Sequence, residues 1–348
     1  MLPNELPHEE LVVRRGRRSG ITVAVAVHST ALGPALGGCR IWRYPSWSEG
    51  IADALRLSEA MTAKAAIAGL AHGGGKTVAV LEPGTVLDDA RRRALLLDIG
   101  DVVDSLEGRY STGPDVGTGP ADMAVVGERT AHVFCRPPAD GGSGDSSPAT
   151  AAGVLAALEV LAGRLGSIGG SGGLRVAVSG LGHVGTLVVR GLAAAGAQLV
   201  VADVDPARRV VAEECGAVWT DPDAVLTADV DVLVPAALGG QLTAELVGRL
   251  RCRAVAGPAN NQLAAEPVAD LLHAAGIVWA PDWLVSAGGI VGVAAREIDG
   301  LGPQEAMERV RGIGVTLDML LDEAAARGES PHHTARRRVA ERLAGVPA

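Results

Sequence analysis

The sequence predicts an α/β protein in two parts, a mixed α/β layer at the N-terminus followed by a doubly wound parallel sheet. Three observations predict it. At 348 residues the chain exceeds what one hydrophobic core comfortably supports. A Pro, Gly and Ser-rich stretch, CRPPADGGSGDSSPAT over 135–150, divides it. Beyond that divide, short apolar strands alternate with helical segments, the rhythm of a parallel sheet with helices on its faces. The expected domains are 1–135 and 136–330, with 331–348 set apart as a C-terminal helical tail. No internal repeat is visible.

The elements follow in order. ITVAVAVHS (21–29) is β-branched and apolar enough for a buried strand, and PALGGCRIW (34–42) reads as a second, entered through a glycine pair. From Ser48, a plausible cap, Ile51, Leu55, Leu57 and Met61 recur at mostly helical spacing and place Lys64 in the last turn. GLAHGGGKTVAVLE then turns through three glycines into a strand, with Lys76 at its entrance. A helix is expected over about 88–107, followed by STGPDVGTGPAD as a loop. After the divide come a helix over about 149–165 and six short strands: RVAVSG, QLVVAD, AVWT, DVLVPAAL, RAVAGPAN and IVWAPD. Helical composition returns from about 303.

Composition narrows the function. With 48% apolar and 20% charged residues, the chain is neither disordered, collagenous nor a coiled coil. A net charge of -9 disfavours nucleic acid and anionic membranes, leaving a small molecule as the expected partner. Four cysteines without Cys-x-x-Cys spacing signal neither a metal site nor a disulfide framework. The N-terminus lacks an apolar signal core, and a cytoplasmic protein is expected. Of 31 basic residues only Lys64 and Lys76 are lysines. A lysine that must lose its proton, or act as a compact point charge, is one that arginine cannot replace. Both flank the same triple glycine, which makes them candidate functional groups.

Gly180-Leu181-Gly182-His183-Val184-Gly185 fits the G-x-G-x-x-G fingerprint. A strand precedes it, an apolar helix follows, and the next strand ends in Asp203 at the expected distance, the context of a Rossmann dinucleotide site. Gly180 permits the turn, Gly182 the approach of the pyrophosphate and Gly185 the packing of helix on sheet. The helix N-terminus favours phosphate. An acidic residue such as Asp203 binds a ribose diol and repels a 2′-phosphate, which points to NAD. Arg208 and Arg209 nearby are the counter-argument.

Taken together, LGPALGGCR, MTAKAAIAGLAHGGGKTV, GPDVGT, GLGHVG, PAALGG, GPANNQLA and APDWLVSAGG resemble, in this order, the glutamate, leucine, phenylalanine and valine dehydrogenases. The resemblance covers nearly the whole chain. It implies NAD-dependent, reversible oxidative deamination of an L-amino acid to the 2-oxo acid and ammonia, in a cleft between a substrate domain and a Rossmann NAD-binding domain of a homo-oligomer. It implies that Lys64 binds the α-carboxylate, Lys76 is the general base and Asp115 relays protons. It further implies contacts to substrate or cofactor from Gly38, Ala236, Asn260, Asn261 and Ser286. The chemistry agrees: a lysine activates water if burial and a second cation lower its pKa. Leu36 stands where glutamate enzymes of the family carry a lysine, and Ile290 and Val293 match pocket positions of the leucine enzymes, so the expected substrate is apolar. Gly113 before Asp115 resembles the phenylalanine enzymes and implies extra room, whereas Leu36 narrows it. Ser286 replaces a family asparagine and leaves open a catalytically impaired NAD-binding protein. A hydroxy-acid dehydrogenase with a Lys/Asp pair, similar to shikimate dehydrogenase, is the other alternative.

Overall fold

The computed structural model describes residues 7–166 and 173–345 and divides into two compact units. The first comprises Met1–Asp145, Arg296–Gly300 and Val339–Ala348, the second Ser146–Ala295 and Leu301–Arg338. The main divide falls within the Pro, Gly and Ser-rich stretch. The return of 296–300 to the first unit is a long-range feature: Glu297 Oε1 accepts from the backbone N–H of Cys135 at 2.9 Å and of Ser143 at 2.8 Å.

In the first unit, strands β1 (Glu10–Arg15), β2 (Thr22–Ser29), β3 (Ala35–Arg43), β4 (Gly73–Leu81) and β5 (Tyr110–Pro114) form a sheet of order β1-β2-β4-β3-β5. β4 pairs antiparallel with β2 and parallel with β3, which is parallel to β5. Strands β2 and β3 lie where apolar runs predict them, whereas β4 begins three residues earlier than expected: Gly73, Gly74 and Gly75 form no turn but its first, buried residues, and Lys76 lies inside the strand. β1 and β5 are edge strands that the sequence pattern hides. β1, ELVVRR, lacks a clean alternation, and β5 ends in Gly113 and Pro114, turn signals that an edge strand tolerates. Helices α1 (Trp47–Ile67), α2 (Asp89–Asp104) and α3 (Pro120–Val126) complete the unit. The cap of α1 is Ser46 rather than Ser48, because Ser46 has the extended backbone a cap requires and its Oγ accepts from Glu49 N. α1 covers one sheet face through Ile51, Ala54 and Leu55 against Ala24, Ala26, Val78 and Val80. α2 covers the other through Leu95, Ile99 and Val103 against Val23, Val25 and Ala79, so alternate residues of β2 and β4 serve opposite cores.

The second unit holds β6 (Arg175–Ser179), β7 (Gln198–Ala202), β8 (Val218–Trp219), β9 (Val232–Pro235), β10 (Ala254–Val255) and β11 (Val278–Trp279), all parallel. Their order, β11-β10-β9-β6-β7-β8, is that of the doubly wound dinucleotide fold, and strand order reverses between β6 and β9. The helices here are α4 (Ser147–Arg164), α5 (His183–Ala194), α6 (Arg209–Glu214), α7 (Pro222–Val225), α8 (Ala244–Val247), α9 (Val268–Ala274), α10 (Asp282–Val285), α11 (Gly288–Val293) and α12 (Pro303–Arg327), with α13 (Pro331–Ala344) closing the chain. Among the described residues no helix is long and apolar enough to cross a membrane.

Candidate active site and nucleotide site

Strand β4 is buried along its whole length, and close backbone approaches set its surroundings. A Cβ on Gly74 would lie 2.0 Å from Thr62 N, so α1 rests directly on the strand and its last turn, with Lys64, is drawn to the triple-glycine entrance. Paired residues of parallel strands project to one face, and the register aligns Leu36 with Ser111 and Gly38 with Gly113. A Cβ on Gly38 would sit 3.1 Å from Lys76 Nζ and 2.8 Å from Asp115 Cβ. Leu36, Gly38, Gly113, Lys76 and Asp115 thus share one sheet face.

Lys76, only 5% exposed, places Nζ 2.8 Å from Asp115 Oδ2. The same oxygen accepts from Arg40 Nε at 2.9 Å. Arg40 Nη1 also reaches Asp53 Oδ2 at 3.0 Å, and that oxygen accepts from Tyr44 Oη at 2.6 Å. Two cations on one carboxylate oxygen have a clear electrostatic result. Burial alone would raise the Asp115 carboxyl pKa, but the Lys76 ammonium and then the Arg40 guanidinium outweigh it and hold the group well below the usual carboxylate range. Asp115 N donates to Thr118 Oγ1 at 2.9 Å, and Thr118 Oγ1 donates to Cys39 O at 2.8 Å, which explains why a threonine follows in DVGT. The arrangement can pass a proton between a buried amine and a carboxylate.

Arg40 is a site residue that sequence reasoning missed. Its signal was positional, two residues beyond Gly38 on the same strand and hence on the same face. His72, just before β4, is half-buried and its Nδ1 lies 3.2 Å from Pro34 O. Ile290 is half-buried and Val293 buried on α11, in the second unit.

The fingerprint opens at the strand-order reversal. Gly180, at the end of β6, has φ +108°, and a Cβ there would lie 2.7 Å from Ala237 N and 2.8 Å from the Ala236 carbonyl carbon. A Cβ on Gly185 would meet Gly180 O at 2.2 Å and Ala236 Cβ at 3.2 Å. Gly182, by contrast, is exposed and its Cβ direction is open, the access a pyrophosphate needs at the head of the 12-residue α5. Leu181 is fully buried, His183 exposed and Val184 half-buried on this turn. Asp203 Oδ2 accepts from Leu181 N at 2.6 Å and Oδ1 from Asp205 N at 2.8 Å, which fixes the carboxylate beside the glycine turn. Arg208 Nε faces Asp205 Oδ2 at 3.7 Å, and the Arg209 guanidinium lies over the Trp219 ring at 5.7 Å. These residues fit a dinucleotide.

Asn260 and Asn261 are exposed, and Asn261 takes the left-handed backbone at φ +54°. Gly240 N donates to Asn261 O at 2.7 Å, tying this loop to the one after β9. The buried Ser286 donates from Oγ to Asn260 Oδ1 at 3.3 Å, which ties it to the asparagine pair.

Two family models match the chain: the dimerisation domain of the Glu/Leu/Phe/Val dehydrogenases over residues 8–132, and the Glutamate/Leucine/Phenylalanine/Valine dehydrogenase model over 201–299. Leucine dehydrogenase of Thermoactinomyces intermedius is 41% identical over 96% of this chain and 90% of its own length. Valine dehydrogenase of Streptomyces albus is 42% identical over 82% of this chain and 79% of its own. The crystal structure of L-tryptophan dehydrogenase from Nostoc punctiforme superposes with a TM-score of 0.81 at 34% identity, covering 98% and 97% of the two chains.

Proposed function

The chain belongs to the Glu/Leu/Phe/Val dehydrogenase family and is an amino-acid dehydrogenase working with a nicotinamide cofactor; on that premise we propose that it uses NAD to deaminate apolar L-amino acids oxidatively and reversibly. The observation that carries this reading is the 2.8 Å contact of Lys76 Nζ with Asp115 Oδ2 on the sheet face that Gly38 keeps open. The nicotinamide supplies the hydride acceptor when bound. Lys64 holds the substrate α-carboxylate. The substrate's α-ammonium first releases a proton to solvent; once the Cα hydride has then left, the substrate is an iminium ion, and Lys76 takes a proton from the water that attacks its carbon. The resulting carbinolamine collapses to the 2-oxo acid as ammonia departs, protonated through Asp115. One amino acid, one NAD⁺ and one water become one 2-oxo acid, one NADH, one ammonium ion and one proton.

Leu36 in place of a lysine supports an apolar side chain, because a buried carboxylate without a partner is costly. Asp203 supports NAD over NADP, and both nearby arginines have partners other than a cofactor phosphate. The match to a dimerisation-domain model supports a homo-oligomer. The four unpaired cysteines support a reducing compartment, the cytoplasm. No observation favours a hydroxy-acid substrate or an impaired protein. The test is a panel of L-amino acids assayed by NADH absorbance with NAD and NADP. Turnover of leucine or valine, inert glutamate and a preference for NAD of at least about tenfold are expected. Oxidation of glutamate alone would reject the reading.

A further inference from the structure

The chain's single phenylalanine, Phe134, occupies the room that Gly113 was expected to leave for substrate. A Cβ on Gly113 would lie 2.0 Å from Phe134 Cε2 and 2.5 Å from Cδ2, so the ring rests on the glycine itself. Gly113 pairs in register with Gly38, whose own Cβ would touch Lys76 Nζ and Asp115. The ring therefore stands on the reactive face, over the strand that leads to Asp115. Backbone bonds hold it there. Thr112 N donates to His132 O at 3.0 Å and Phe134 N to Thr112 O at 2.9 Å, so residues 132–134 run along the free edge of β5. Immediately after the ring, Cys135 takes φ +60° and its N–H is held by Glu297, which turns the chain away. Half-buried, Phe134 also lines a cavity of about 330 Å³ with Ser111, Arg136, Ser143, Arg296 and Glu297.

We propose that Phe134 is a specificity-determining residue, the wall that closes the substrate side-chain pocket above Gly113. Two sequence cues conflicted: Gly113 suggested room for an aromatic substrate, whereas Leu36 suggested a narrow pocket. The ring removes the conflict, because the volume freed by the missing Cβ of Gly113 is filled from within the chain. Leu36, buried and aligned with Ser111 on the same face, narrows the pocket from the β3 side. Branched aliphatic side chains fit against these two apolar surfaces, and an aromatic substrate competes for the space of the Phe134 ring.

This inference rests on the proposed function and is tested separately from it. The assay compares kcat/KM for valine, leucine, phenylalanine and tryptophan in the wild type, Phe134→Ala and Phe134→Leu, with NADH affinity and thermal unfolding measured alongside. The wild type should favour leucine and valine over phenylalanine by roughly tenfold or more, the scale on which an oily pocket discriminates size. Each folded variant should raise the phenylalanine-to-leucine ratio by about tenfold or more at unchanged NADH affinity. Phe134→Leu keeps an apolar filler, so it reports even if the alanine variant does not fold. A wild type that already prefers phenylalanine, or a ratio unmoved in folded Phe134→Leu, overturns the inference. A wild type that oxidises no apolar amino acid instead overturns the proposed function.

Discussion

Gly38→Ala places one methyl group between the two reactive side chains. Its Cβ would lie 2.8 Å from Asp115 Cβ, 3.1 Å from Lys76 Nζ and 3.2 Å from Pro114 O. Carbon pairs rest at about 3.5–4.0 Å, so Asp115 or the β3 backbone must yield by roughly 0.7–1.2 Å. The Lys76–Asp115 contact of 2.8 Å cannot survive a shift of that size without rearrangement. A misplacement of about 1 Å in catalytic geometry costs on the order of 100-fold in rate, equivalent to about 2.7 kcal/mol of barrier. Overpacking should lower stability by only about 1–3 kcal/mol, and the glycine turn of the nucleotide site belongs to the other unit. The assay is kcat/KM for leucine with NAD, accompanied by NADH affinity from fluorescence and a melting curve. The expected result is a folded protein with unchanged NADH affinity and kcat/KM about 100-fold lower. An alanine variant as active as the wild type would refute the claim that Gly38 makes room for the pair.

Arg40→Gln removes one of the two cations on Asp115 Oδ2. Because the folded-state pKa of Asp115 is depressed, its ion pairs stabilise the protein fully above the unfolded carboxylate pKa, and this stability is lost as pH falls toward the folded value. The variant should be less stable near neutral pH, by about 1.5–3 kcal/mol for a hydrogen bond between charged groups, and the gap should close on acidification. A gap constant with pH, measured by urea unfolding, would contradict it. Asp203→Ala should reduce the NAD-to-NADP ratio of kcat/KM by roughly tenfold, through loss of the diol contact and of the acceptor for Leu181 N. An unaltered ratio would show that cofactor choice lies elsewhere.

Much of the second unit was legible because β6, β7 and β9 are short apolar runs, β6 and β9 buried nearly throughout and β7 over most of its length, and such strands announce themselves by composition. The glycine fingerprint and the lysine pair were legible for another reason: each is rare against its background. Arg40 was hidden because arginine is the ordinary basic residue of this chain, so only its place on the face of β3 singles it out. β5 was hidden by Gly113 and Pro114, which mark turns in most contexts but here end an edge strand whose glycine supports a ring. Phe134 was conspicuous as the only phenylalanine, yet nothing local says which residue it covers. Its contact with Gly113 depends on the pairing of 132–134 with β5, and Glu297 reaches Cys135 from 162 residues away. Long-range returns of this kind leave no periodic trace.

The account stands most directly on Lys76. Turnover of leucine and NADH affinity, measured together in Lys76→Arg and Lys76→Ala, separate a proton-transfer role from simple charge or packing. Guanidinium does not deprotonate in proteins, so the arginine variant keeps the positive charge and loses the base. Both variants are predicted to bind NADH as the wild type does and to lose deamination. Rates like those of the wild type in Lys76→Arg would contradict the claim that Lys76 is the general base.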